Sequence, residues 1–195
     1  DNSMYIGNDP SSSTSTAEYN VAVGTTALDA VTTGGRNVAI GYNALTANTS
    51  GNYNTAVGES ALRYSTTASY NTGIGYNSLS DNTSGTANSG LGSGTLVWNT
   101  TGSNNTAVGK DALKVNTTGS RNIAVGTGAL DAPDTENDNL AIGYDALGGS
   151  IAGGESNVAV GNYSLDANTS GDNNVAVGHN SLTANTTGAY NVGIG

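Results

Sequence analysis

Asn20-Val21-Ala22-Val23-Gly24 is the stretch on which the fold turns, because the chain writes it again and again. The figure returns with its Asn at Asn37, Asn54, Asn71, Asn88, Asn105, Asn122, Asn139, Asn157, Asn174 and Asn191. Each step is 17 residues, apart from one of 18 between Asn139 and Asn157. A degraded copy ends at Gly7, again 17 residues before Gly24. A fixed period of this length marks a chain built of stacked units that each touch only their neighbours.

Counting the motif Asn as position 1 exposes the logic of one unit. Position 2 is mostly β-branched (Val21, Val38, Thr55, Thr72, Thr106, Ile123) and position 4 is always aliphatic, from Val23 and Ile40 to Val177 and Ile194. Alternation with β-branched enrichment is a strand pattern. Positions 2 and 4 then share one face and are expected to form apolar ladders in the core. Position 3 is only ever Ala or Gly, as at Ala22, Gly73, Ala107, Ala124 and Gly193. A small-only column on the opposite face is expected to pack closely against neighbouring chains. Position 5 is Gly in every copy, which ends the strand and turns the chain. Positions 6 and 7 vary freely, as exposed turn residues do.

A second strand-like piece is expected next. Position 8 is small, and position 9 is Leu in all ten complete copies: Leu28, Leu45, Leu62, Leu79, Leu96, Leu113, Leu130, Leu147, Leu165 and Leu182. These Leu are the third core column. The return turn reads Asn-Thr-Ser/Thr-Gly at Asn48–Gly51, Asn82–Gly85, Asn99–Gly102, Asn116–Gly119, Asn168–Gly171 and Asn185–Gly188. Asn and Gly at fixed offsets are turn chemistry, through local side-chain hydrogen bonds and tolerated left-handed geometry. A helix is disfavoured, because Gly at positions 5 and 15 leaves about nine residues between breakers that each cost about 1 kcal/mol. The expected fold class is all-β: a parallel β-solenoid or β-roll of 17-residue coils, assembled as a trimeric fibre. Coils about 4.8 Å apart make the array on the order of 50 Å long. The motif Asn column, Asn20 through Asn191, is expected to be an internal hydrogen-bonded ladder rather than a ligand site.

Composition agrees with a thin axial core rather than a round one: 29 Gly, no Phe, one Met and one Trp in 195 residues. Polar, Gly-rich chains are often disordered, but the strict apolar positions at a fixed period argue otherwise. The net charge is −10, and the basic residues are Arg36, Arg63, Lys110, Lys114 and Arg121. With no basic stripe to neutralise phosphates, nucleic acid and anionic membrane surfaces are not expected partners. No apolar run reaches transmembrane length and no signal-peptide pattern opens the chain. Cysteine is absent, so the redox compartment is not readable from it.

The whole of 1–195 reads as a single repeat array, with a degenerate first coil at 1–19 and regular coils over 20–195. The one-residue insertion falls near 148–156, as a bulged loop, and Ala132–Asn139 forms a locally acidic turn. Polar caps are not visible at either end, which suits a segment of a longer fibre.

The Asn37-Val38-Ala39-Ile40-Gly41 motif and its counterparts resemble the head repeat of trimeric autotransporter adhesins. That resemblance implies a left-handed parallel β-roll of three chains about one axis. The step of 17 and the fixed Leu depart from the adhesin pattern. The longer figure Asn99–Gly109 (Asn-Thr-Thr-Gly-Ser-Asn-Asn-Thr-Ala-Val-Gly) is more similar to repeat arrays of phage tail-fibre proteins. It implies a trimeric fibre with attachment functions.

No constellation for catalysis stands out. His179 is the lone histidine, at a variable turn position, and carboxylates do not recur as pairs. No cofactor is expected. Asp131, Asp134, Glu136 and Asp138 offer hard oxygens to Ca²⁺, though without the glycine spacing of calcium repeats. Trp98 with Tyr64 is a candidate sugar platform, set against a role covering the Leu96 edge, and Tyr42, Tyr76 and Tyr144 share position 6. Asn-X-Ser/Thr sequons occur at Asn48, Asn82, Asn99, Asn104, Asn116, Asn162, Asn168 and Asn185.

The expected function is a non-enzymatic, extracellular fibre shaft of a virion or cell-surface appendage, a homotrimer supporting attachment. A host glycan or receptor would be met through other parts of the fibre. Two alternatives stay open: a bacterial adhesin head binding matrix or glycans, and an ice-binding solenoid suggested by the recurrent position-13 Thr (Thr32, Thr49, Thr66, Thr83, Thr100, Thr117, Thr169, Thr186).

Overall fold

The computed structural model describes residues 2–7, 16–132, 135–149 and 154–195. Each repeat is one coil contributing one short strand: β1 (Met4–Gly7), β2 (Val21–Gly24), β3 (Val38–Ile40), β4 (Thr55–Val57), β5 (Thr72–Ile74), β6 (Ser89–Leu91), β7 (Thr106–Val108), β8 (Ile123–Val125), β9 (Leu140–Ile142), β10 (Val158–Val160), β11 (Val175–Val177) and β12 (Val192–Ile194). They stack in chain order into one 12-stranded parallel sheet. The register is the repeat itself, with Val38 beside Thr55, Ala39 beside Ala56 and Ile40 beside Val57. The fold is an all-β parallel solenoid of 17-residue coils, with no helix among the described residues. Register survives the insertion, since Val158 still meets Leu140, and the extra residue is taken up before Gly154.

The second strand expected at positions 8 and 9 is not there. Positions 6 to 11 are successive turns, and the position-9 Leu is left-handed in every coil, with φ from 48° at Leu130 to 55° at Leu79. For a non-glycine residue that conformation costs roughly 1–2 kcal/mol. Full burial of the Leu side chain, worth about 1.5–3 kcal/mol, offsets it, and Leu28 to Leu165 of this column are at zero exposure. The final member, Leu182, is partly buried against the same core. Pairing between coils continues here without a β ladder: the Leu28 N–H donates to the Ala44 carbonyl at 3.1 Å and the Leu45 N–H to Ala61 at 3.0 Å.

The face assignment is also inverted. The Ala and Gly of position 3 point inward, with Ala39, Ala56, Ala107, Ala124 and Ala159 all at zero exposure, whereas positions 2 and 4 point out. The reason is the thinness of one coil. Leu fills the space opposite position 3, and a Cβ placed on Gly73 would lie 3.4 Å from Leu62 Cγ. Only a methyl or less fits there. At Gly90 even the methyl is absent: this residue sits between Ser78 and Thr95, whose oxygens are 2.7 Å apart and would each be 2.6 Å from a Cβ. The small residues thus mark a tight interior within one chain, not a contact between chains.

Glycine at position 5 answers to two constraints at once. Gly58 has φ +133°, and a Cβ on it would lie 2.6 Å from the Gly75 carbonyl oxygen of the next coil. Position 15 is set by a side chain instead. A Cβ on Gly102 would meet Asn99 Oδ1 at 2.4 Å and the Gly119 oxygen at 2.3 Å.

Candidate functional site

Two columns of amides brace the interior. Each motif Asn from Asn20 to Asn174 is buried, and its Oδ1 accepts the backbone N–H of the next motif Asn: from Asn54 to Asn37 at 2.9 Å, Asn122 to Asn105 at 2.9 Å, Asn174 to Asn157 at 2.9 Å. Its Nδ2 donates to the position-15 carbonyl of its own coil, as Asn105 does to Gly119 at 2.8 Å. The acceptors and donors are mostly backbone groups, so the column is a set of coil-to-coil clamps rather than a pure amide ladder. The turn Asn of position 12 forms a second column that the sequence reading took only as turn chemistry. Asn99 Nδ2 donates to Asn82 Oδ1 at 2.6 Å and Asn116 Nδ2 to Asn99 Oδ1 at 2.7 Å, all buried. Its recurrence with Gly three residues later was the available signal.

The surface these clamps hold flat is the outward sheet face. Position 4 supplies one unbroken aliphatic stripe: Val23, Ile40, Val57, Ile74, Leu91, Val108, Val125, Ile142, Val160, Val177 and Ile194. Leu91 is 51% exposed, Ile40 39% and Val177 38%. Position 2 is aliphatic toward both ends and hydroxylated in the middle, at Thr55, Thr72, Ser89 and Thr106. No charged residue occupies any of the twelve strands. With strands about 4.8 Å apart and side chains two residues apart along each, the face is on the order of 50 Å by 10 Å. A face of that size matches the largest apolar patches of soluble monomers, about 300–600 Å², which often mark contact sites.

The other residues singled out from sequence scatter around the coils. His179 is exposed, edge-on to Tyr163 at 6.1 Å between centroids and beside Asn180. Tyr163 in turn meets Tyr144 at 5.4 Å. Coulombic repulsion from Asp145 holds the Tyr144 hydroxyl above its usual range. Tyr42 and Tyr76 are each about half exposed, and so are Trp98 and Tyr64, with Arg63 over the Tyr64 ring at 4.9 Å. On another edge, Arg36 lies between the rings of Tyr19 and Tyr53 at 5.1 and 5.4 Å, and Tyr53 stacks on Tyr70 at 5.0 Å.

Of the four candidate calcium ligands, Asp134 lies outside the described residues. Asp138 is held by Arg121 through two hydrogen bonds of 2.6 and 2.7 Å, which lower its carboxyl below the usual range. The Glu136 carboxylate is buried and accepts from the Thr135 N–H and Oγ1. Burial, then the Asp145 charge, pushes Asp131 up. Among the described residues no three of these side chains gather as a metal group. The position-13 hydroxyls are engaged along the stack: Thr49 donates to the Thr66 carbonyl at 3.1 Å, Thr83 to Thr100 at 3.0 Å and Thr100 to Thr117 at 2.9 Å. Hydroxyls so engaged are a poor template for ice. Sequon residues Asn48, Asn82, Asn99, Asn116 and Asn168 are fully buried, whereas Asn104 and Asn162 are exposed.

The chain matches no protein-family profile, no curated protein and no solved structure.

Proposed function

We propose that this chain is a structural, non-enzymatic shaft of a viral tail fibre or related surface appendage, working outside the cell as a homotrimer that supports attachment. The observation that carries the reading is the uncharged outward face, with its position-4 aliphatic stripe running the full length of the stack. A stripe parallel to the solenoid axis is buried by other copies laid lengthwise against it, and that arrangement makes a fibre. Three copies about one axis is the stoichiometry implied by the likeness to trimeric adhesin and tail-fibre repeats, which is analogy at the level of the repeat. Repetition of the same clamps in every coil suits a part whose job is length and rigidity.

The test is a pair of glutamate substitutions. Val108→Glu places a charge in the middle of the outward stripe, and Ala107→Glu forces one into the Leu-packed interior. The expected result is that Val108→Glu yields a folded monomer by sedimentation, with an unchanged far-UV spectrum, while Ala107→Glu unfolds its coils. Wild-type mass persisting in Val108→Glu overturns the assembly through this face.

A further inference from the structure

The corner that follows the strands carries a wall of position-6 and position-7 side chains, and the wall is lowered at Ser93-Gly94, as it also is at Thr127-Gly128. Ser93-Gly94 stands where the coils on either side place Tyr76-Asn77 and Lys110-Asp111. The backbone does not change there: the Gly94 N–H donates to Tyr76 at 2.9 Å and the Asp111 N–H to Ser93 at 3.0 Å. What changes is side-chain volume, and a notch of about 350 Å³ opens beside Ser93 and Gly94, with Val97 in its lining. That size is at the small end of ligand pockets.

Its walls are chemically unlike each other. Tyr76, 54% exposed, offers a ring on one side. Opposite, Asp111 lies between two ammonium groups, 3.4 Å from Lys110 Nζ and 3.4 Å from Lys114 Nζ. Two of the five basic residues of a chain of net charge −10 meet here. The flanking coils are about 10 Å apart, two strand spacings, which admits one flat ring lying against Tyr76. The two ammoniums are balanced by Asp111 within the notch and by Asp131, which also faces Lys114. A strongly anionic guest therefore finds no net positive field. A guest with adjacent hydroxyls finds both an acceptor and donors at bonding distance of one another, with an aromatic face for its apolar C–H side.

We propose that this notch is a binding site for a neutral saccharide, with Tyr76 as the stacking platform and Asp111, flanked by Lys110 and Lys114, as the group that reads vicinal hydroxyls. It does not depend on the fibre reading, because every residue of the notch comes from one chain and lies beyond the glycine turn, off the aliphatic stripe.

Saturation-transfer NMR on the full chain tests it, with maltose, lactose, cellobiose and chitobiose as separate probes and glucuronate as a charged control. At least one neutral disaccharide should receive transfer on its ring protons. A Cβ at Gly94 would lie 2.4 Å from Asp111 Oδ1, so Gly94→Asn, the residue this corner already holds at positive φ in Asn43, Asn77 and Asn180, both narrows the notch and displaces its acceptor, and should abolish the transfer. Asp111→Asn keeps the left-handed backbone and removes the charged acceptor, with the same loss. Tyr42→Ala, at the same repeat position but outside the notch, should leave transfer unchanged, and circular dichroism should match wild type for all three. No transfer from any of the four, transfer surviving Gly94→Asn, or binding confined to glucuronate overturns the proposal.

Discussion

Replacing Asn105 by Leu should break the solenoid locally, and the size of the effect follows from its partners. The side chain is fully buried. Its Oδ1 accepts the Asn122 N–H at 2.9 Å, and its Nδ2 donates to the Gly119 carbonyl at 2.8 Å. Leucine of similar length makes neither bond: the buried Asn122 N–H is left without a partner, while the Gly119 carbonyl keeps the Asn116 Nδ2 donor at 2.9 Å. The orphaned N–H costs about 1–3 kcal/mol and the second lost bond about 0.5–1.5 kcal/mol, so the loss is about 1.5–4.5 kcal/mol, concentrated between the coils of β7 and β8. In an array whose stability is a sum of repeats and interfaces, a loss of that size at one interface uncouples the two halves. Native-state hydrogen exchange reads this directly. Protection of the Asn122 amide should fall by the corresponding factor, and thermal unfolding should split into two steps. A protection factor for Asn122 within about threefold of wild type, a change under about 0.7 kcal/mol, would refute the clamp as the source of coil-to-coil stability.

The second amide column has a gap, at Ser65, whose buried Oγ has no partner, and the coil that carries it has Ala68 where Gly is usual. Because a Cβ at position 15 collides with the position-12 amide oxygen (2.4 Å in the case of Gly85 and Asn82), Ser65→Asn with Ala68→Gly should stabilise by about 0.5–1.5 kcal/mol in thermal denaturation. Ser65→Asn alone should not, and equal effects of the single and double variants would contradict the coupling. Asp131, raised by burial and then by the Asp145 charge, contributes stability that is complete below the ordinary carboxylate pKa and lost as pH rises through its folded value. Asp131→Asn should therefore raise the melting temperature at pH 7, with the gain shrinking as pH approaches about 4. A gain that grows on acidification would show the sign to be wrong.

The period, the strand at positions 2 to 4 and the one-coil-per-repeat stacking were all legible in the Asn-Val-Ala-Val-Gly figure, because parallel register is the repeat itself. The direction in which the strand faces was not. Bulky aliphatics at positions 2 and 4 read as core by the usual rule, yet Leu28 and its counterparts already occupy the narrow interior and leave room only for Ala22 or Gly73. The missing second strand has a different cause. Alternating left-handed residues at positions 7 and 9, such as Asn43 and Leu45, leave no period that distinguishes them from a short strand, and Leu is an uncommon residue at positive φ. The notch at Ser93-Gly94 was invisible because it is defined by side chains that are absent between two coils that carry them.

The outward stripe makes the most direct demand on experiment, a solution mass. Sedimentation equilibrium of the wild-type chain at neutral pH should give three times its 19.2 kDa, independent of loading concentration over the micromolar range. A stable, folded 19.2 kDa monomer with the aliphatic face open to solvent would contradict the fibre account.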